Sequence, residues 1–171
     1  MPAKKETVLI VDGYNVIYAW PELMQLKDKS LQASREALID IMINYAAYKG
    51  YRVYVVFDGQ GTEDTVEYNG SIYTCYTREG DTADQYIERL VGDEAFTACE
   101  VYVATSDYAQ QRIVLGRGAH RISSRELHIQ VQKMWDKFDR LQEKTGSWSG
   151  MLVSRLGAEM RTALEKLRRS K

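Results

Sequence analysis

Short blocks in which every position is apolar alternate along this chain with longer stretches in which apolar residues return every three or four positions. Thr7–Asp12 is apolar from Val8 to its final aspartate, and Tyr51–Asp58 is β-branched and aromatic and also ends on an aspartate. Val101–Ala104 is a third such block and runs straight into Thr105-Ser106-Asp107. Apolar runs of this length predict strands buried on both faces. Leu31, Leu38, Ile41, Met42 and Tyr45 recur near the 3.6-residue period, with Arg35, Glu36 and Asp40 interspersed. That pattern predicts a helix over Leu31–Lys49, capped by Ser30 and closed by Gly50. After a polar loop at 59–65, Val66–Tyr68 and Ile72–Tyr76 flank Asn69-Gly70, a hairpin signal. Helices are predicted over Asp81–Val91 and Asp107–Leu115, and a short strand over Ala119–Ile122. A long helix then starts at Ser123 or Ser124 and runs to about Lys144; a turn at Gly146–Gly150 leads to a final amphipathic helix over Met151–Arg169.

Strands alternating with helices at this spacing predict an α/β fold: a mostly parallel central sheet flanked by helices, here with a C-terminal helical extension at about 123–170. With 171 residues, prolines only at positions 2 and 21 and no low-complexity tract, the chain reads as a single domain over 1–171. The 44% apolar and 27% charged fractions are those of an ordinary globular protein. No apolar run approaches the ~20 residues that span a bilayer. The charged start is followed only by Val8–Val11, too short for a signal-peptide core, so the expected location is the cytoplasm, with no membrane partner. Cys75 and Cys99 form no CxxC and read as plain thiols. The net charge of −1 conceals a polarity: residues 1–111 carry 9 Lys/Arg against 18 Asp/Glu, residues 112–171 carry 14 against 6. Such asymmetry suggests a polyanionic partner such as nucleic acid; the plain alternative is a set of basic helices packed on an acidic body.

The candidate chemistry follows from where the strands end. In parallel sheets ligands bind beyond the carboxyl ends of the strands, at a switch in strand order. Asp12, Asp58 and Asp107 all stand at or just past such an end, and Asp84 opens the helix that follows Asp81-Thr82-Ala83. Each has a bland role open to it, as a turn residue, a helix-face charge or an N-cap. Together they would form a cluster of like charges, with no Lys or Arg near Asp12, Asp58 or Asp107 in sequence, and a hard divalent cation with oxygen ligands would relieve the repulsion. The only histidines, His120 and His128, sit in no metal-binding motif, which argues against a zinc site. Neither Walker A nor GxGxxG occurs, so no nucleotide cofactor is expected.

Val8-Leu-Ile-Val-Asp12-Gly-Tyr-Asn15, Val55-Val-Phe-Asp58, Thr82-Ala-Asp84 and Ala104-Thr-Ser-Asp107 together resemble the NYN nucleases of the PIN-like superfamily. Val11–Pro21 and Gly118–Leu127 narrow the resemblance to the bacterial YacP-like NYN family, and it covers essentially the whole chain. It implies a three-layer PIN-like fold and a metal-dependent endoribonuclease that hydrolyses phosphodiester bonds of mRNA on the translating ribosome, by water attack leaving 5′-phosphate and 3′-hydroxyl ends. It further implies Mg²⁺ or Mn²⁺, one ion or two, held by Asp12, Asp84 and Asp107, with Asp58 in direct contact or one layer behind. Asn15 would bond the Asp12 carboxylate or the scissile phosphate, and Thr105 or Ser106 would orient ligands or water through a hydroxyl. Asp81 is better explained as a helix cap than as a ligand, and Glu79 can reach the site only from its loop.

Arg112, Arg117, Arg121 and Arg125 open the basic part of the chain and are candidate contacts to RNA phosphates. Arg125 can instead pair with a surface carboxylate. Tyr14 and Tyr18 follow the first acidic strand, where aromatic faces can stack unpaired bases; Tyr18 and Trp20 have core packing as an alternative. A catalytically silent RNA- or ribosome-binding module with the same fold is the competing function. An aspartyl-phosphate phosphatase would want a second Asp where Tyr14 stands, and a receiver domain lacks its partner lysine.

Overall fold

The structure, a computed structural model, describes residues 5–145. The predicted turn at Gly146–Gly150 and the helix over Met151–Arg169 lie outside the described residues.

A six-stranded sheet forms the middle layer: β1 (Thr7–Asp12), β2 (Arg52–Gly61), β3 (Thr65–Tyr68), β4 (Ile72–Arg78), β5 (Glu100–Ala104) and β6 (His120–Ile122). Their spatial order is β3-β4-β2-β1-β5-β6, and every pair is parallel except the β3–β4 hairpin. Strand β1 is buried along its whole length. Its Leu9 and Val11 enter one core, and its Val8 and Ile10 enter the other, which is why no polar residue interrupts the run.

The first face is covered by α1 (Gly13–Ala19), α2 (Pro21–Lys29), α3 (Leu31–Lys49) and α6 (Ser124–Thr145), and the second by α4 (Ala83–Val91) and α5 (Tyr108–Gly116). This is the expected three-layer α/β arrangement, and most elements fall where the hydrophobic pattern places them. Helix α3 has the bounds read from its period, with the Ser30 hydroxyl accepting from the Ala33 N–H and Gly50 at φ 68° as its left-handed stop. Ser123 caps α6: its hydroxyl accepts from the Glu126 N–H at 3.1 Å while the Glu126 carboxylate accepts from the Ser123 N–H at 2.7 Å. Among the described residues no helix is long and apolar enough to cross a membrane.

Two segments depart from expectation. Helices α1 and α2 occupy a stretch in which the hydrophobic pattern assigns no element. Helix α1 has seven residues, too few to show a helical period, and its Tyr-Asn-Val-Ile-Tyr run has strand-like residue types. Helix α2 did carry a local mark, Pro21 in its first turn. Strand β2 also continues through Asp58 to Gly61, three residues into the expected loop. An irregularity after Phe57 lets it follow β4 as far as Arg78, with the Gly59 N–H bonding the Thr77 hydroxyl at 3.1 Å.

Candidate active site

From β1 the chain order moves outward through β2 and β4 on one side and through β5 and β6 on the other. The connections leaving β1 and β5 therefore diverge, and a crevice opens between the carboxyl ends of these two neighbours. Asp12 ends β1 on one side of it, and Thr105-Ser106-Asp107 follow β5 on the other.

Asp12 is buried and does two jobs: it closes the strand and caps α1, accepting from the Asn15 N–H at 3.4 Å. The fully buried Thr105 hydroxyl donates to the other carboxylate oxygen of Asp12 at 3.4 Å and accepts the Asp107 N–H at 3.1 Å. Burial first, then the Asp84 and Asp58 carboxylates, push Asp12 up to about 7, against the smaller opposing pull of these hydrogen bonds. Asp84 lies in the first turn of α4; partial burial, then Asp107 and Asp58, raise its carboxyl above the ordinary range although the residue as a whole is exposed. Asp84 is thus within electrostatic range of Asp12, Asp58 and Asp107, and Asp12 of Asp58.

They are not equivalent. Asp58 accepts the Ala83 N–H at 2.6 Å and so ties the end of β2 to the start of α4, next to Asp84. Asp107 caps α5 by accepting the Gln110 N–H at 3.0 Å while also facing Asp84. Asp81 is not the cap expected of it, since Thr82 caps α4; it pairs instead with Arg78 at 3.1 Å and Arg89 at 3.4 Å.

Asn15 is fixed through its carboxamide oxygen, which accepts from the Ser106 N–H at 2.8 Å and from the Ser124 hydroxyl at 2.7 Å. Two donors on one oxygen define which end of the amide points where, leaving the NH₂ as the outward donor. Of the two hydroxyls offered for orienting the site, Thr105 reaches Asp12. That of Ser106 instead accepts the Ser124 N–H at 3.1 Å and belongs to the scaffold. Ser124, fully buried, reads in the sequence only as a possible helix cap. Its carbonyl also accepts the indole N–H of the buried Trp20 at 2.8 Å, so one residue of α6 anchors Asn15, Ser106 and Trp20. No local signal marks it, since its partner Asn15 is 109 positions away.

The proposed RNA contacts divide. Arg112, Arg121 and Arg125 are exposed, and Arg125 stands one residue after Ser124 at the crevice. Arg117 is not brought to the rim: it follows the far end of α5 and pairs with Glu88 of α4 at 2.6 Å. Tyr18 is exposed, with Lys27 above its ring at 4.6 Å. Tyr14 is not a free stacking surface, because its ring packs edge-on against Phe57 at 5.2 Å and its hydroxyl accepts from Arg35 at 3.2 Å. Arg35 is a cation in this region that the linear reading did not single out, and its buried Nε has no acceptor.

An α/β sheet with an acidic crevice at its switch point is the architecture of an NYN domain in the PIN-like nuclease superfamily. The model of the YacP-like NYN domain matches residues 9–169, and the chain belongs to that family. It is 39% identical over 165 residues to the uncharacterized protein YacP of Bacillus subtilis strain 168, covering 95% of this chain and 96% of that one. It is also similar to crystal structures of Rae1 (YacP) from Bacillus subtilis. One, a tryptophan-to-leucine mutant, has a TM-score of 0.71 at 37% identity, over 95% of this chain and 96% of that chain. Another has a TM-score of 0.68 at 38% identity, over 95% and 94% of the two chains.

Proposed function

We propose that the protein is a divalent-metal-dependent endoribonuclease that hydrolyses mRNA in association with the translating ribosome. The observation that carries this reading is the buried Asp12 at the switch point, pushed up to about 7 by its burial first and then by the Asp84 and Asp58 carboxylates.

The donor set suits a hard cation. All candidate ligands are carboxylate oxygens, whereas the Arg ion pairs seen fall on other acidic residues, among them Glu6, Asp64, Asp81 and Glu88. Among the described residues no three such side chains are drawn together tightly enough to hold an ion as they stand. Asp12, Asp84 and Asp107 would be the holders, and Asp58 would set the position of Asp84 through its bond to the Ala83 N–H. A bound divalent ion would supply neutralisation of phosphate charge and a more acidic water. The chain itself contributes orientation: Thr105 holds the Asp12 carboxylate, and the NH₂ of Asn15 is directed to donate to a phosphate oxygen. Exposed Arg112, Arg121 and Arg125 add attraction for the RNA backbone.

The test compares wild type with Asp12→Asn and Asp84→Asn on RNA, with and without translating ribosomes, in Mg²⁺ or Mn²⁺. Wild type cleaves and leaves 5′-phosphate ends, both variants lose cleavage while remaining folded, and EDTA stops the reaction. Undiminished cleavage by both variants removes them from the catalytic role. Ribosome association without cutting in any condition establishes the silent binding module instead.

A further inference from the structure

At the far end of α3 from the acidic crevice, a cavity of about 320 Å³ opens between the end of that helix, the start of β2 and the middle of α6. Its walls include Tyr45, Tyr48, Tyr51, Lys49 and Lys133. Lys49 lies over the Tyr51 ring at 5.3 Å, and Lys137 lies over the Tyr48 ring at 5.2 Å. Tyr102, Ile122 and Gln130 also line it; the Gln130 amide oxygen accepts from the Tyr45 hydroxyl, and its NH₂ group is the donor end.

The charge on α6 is sorted beside this cavity. Lys133, Lys137, Arg140 and Lys144 are exposed and spaced i, i+4, i+7 and i+11, a single line about 16 Å long. Asp136, Asp139 and Glu143 repeat at i, i+3 and i+7, roughly 100° further round the helix. The basic line is the one next to the cavity, since Lys133 lines it and Lys137 covers Tyr48. Cations set in line among tyrosine rings, of which Tyr48 is exposed, match a ligand that carries repeated phosphates and planar bases. An acidic peptide would satisfy the cations and leave the rings unused.

We infer that this cavity and the basic line of α6 form a second subsite for single-stranded RNA, with a base against Tyr48 and Tyr51 and backbone phosphates along Lys133, Lys137 and Arg140. It rests on the RNA reading above and would hold a part of the strand remote from the scissile bond.

Binding of the full chain to a labelled single-stranded oligoribonucleotide in EDTA, followed as salt is varied, tests this. Lys133→Gln, Lys137→Gln and Arg140→Gln together should lower the salt slope by about 2, near 0.7 per lost phosphate contact. Tyr48→Leu, which keeps an apolar side chain, should weaken binding about tenfold at constant salt and leave the slope unchanged. A 4-thiouridine-bearing strand should crosslink to the peptide containing Tyr48 and Tyr51. Variants that bind with unchanged affinity and slope overturn the subsite, as does a poly-glutamate of equal charge that competes as well as RNA. If that happens while wild type still cleaves, the nuclease reading survives and only the subsite is lost; if wild type neither binds nor cuts RNA, both fail.

Discussion

Asp12 shows how one side chain can be a structural cap and a charged liability together. Its folded carboxyl titrates near 7 against an ordinary 3.8. Between these values the folded state binds a proton that the unfolded chain releases, so stability falls as pH rises from about 4 to 7. Without divalent cation, Asp12→Asn should therefore be more stable than wild type at pH 8, by on the order of 2–4 kcal/mol. The difference should vanish toward pH 4. Mg²⁺ or Mn²⁺ should raise the wild-type Tm at pH 8 and leave the variant's unchanged; thermal melts across pH, with and without the ion, check both. Ser124 acts at the same scale through Asn15. Ser124→Ala removes one of the two donors on the Asn15 oxygen, at a cost of about 1 kcal/mol in stability. It should lower kcat more than it raises KM, because the loosened amide affects orientation before binding; Ser124→Thr, which keeps the hydroxyl, should restore part of it.

Elements place these residues, and two glycines let the elements approach. A Cβ on Gly13 would stand 2.3 Å from the Phe57 ring, and one on Gly59 would stand 1.9 Å from the Thr77 carbonyl oxygen. The buried Phe57 ring can give way only by repacking with Tyr14 and Tyr76, whereas the carbonyl is part of the β4 ladder. Gly59→Ala should thus be the more damaging, by about 3 kcal/mol in urea unfolding, with Gly13→Ala about 1 kcal/mol. Both flank the site: Gly13 follows Asp12 and Gly59 follows Asp58. The Asp58 bond to the Ala83 N–H and the Thr82–Gln85 capping box start α4 in one place, which in turn locates Asp84. Asp58→Ala should fray this first turn and lower the amide-exchange protection of Ala83, so that exchange there rises while β1 remains protected.

At the scale of the molecule, α6 is the clasp that closes the first face over the site. Its His128 bonds the buried Glu22 of α2 at 2.6 Å and lies against Trp20 at 4.8 Å between ring centres. His128→Ala would leave the Glu22 carboxylate buried without that partner. We expect a loss of about 3–5 kcal/mol by denaturant unfolding, together with weakened cleavage, because Ser124 and hence Asn15 ride on the same helix. Much of this architecture was legible in the residues themselves: the doubly buried strands, the bounds of α3, the hairpin at Asn69-Gly70, and aspartates at strand ends that the parallel-sheet rule brings to one rim. These are local signals, set by the alternation of burial, by caps and by turn chemistry within a few residues. The short α1 was not legible, since seven residues show no period, and neither were the engagement of Tyr14 by Arg35 and Phe57 or the retreat of Arg117 to Glu88. Nor did the sequence distinguish Thr105 from Ser106, or Ser124 from an ordinary cap. Those outcomes depend on which side chains meet across the sheet after folding, and hydrogen bonds between residues 91 and 109 positions apart leave no trace in local order. The linear pattern determined which chemistry the chain carries and to which edge it goes; packing alone decided which groups touch, because contact is a property of three-dimensional distance.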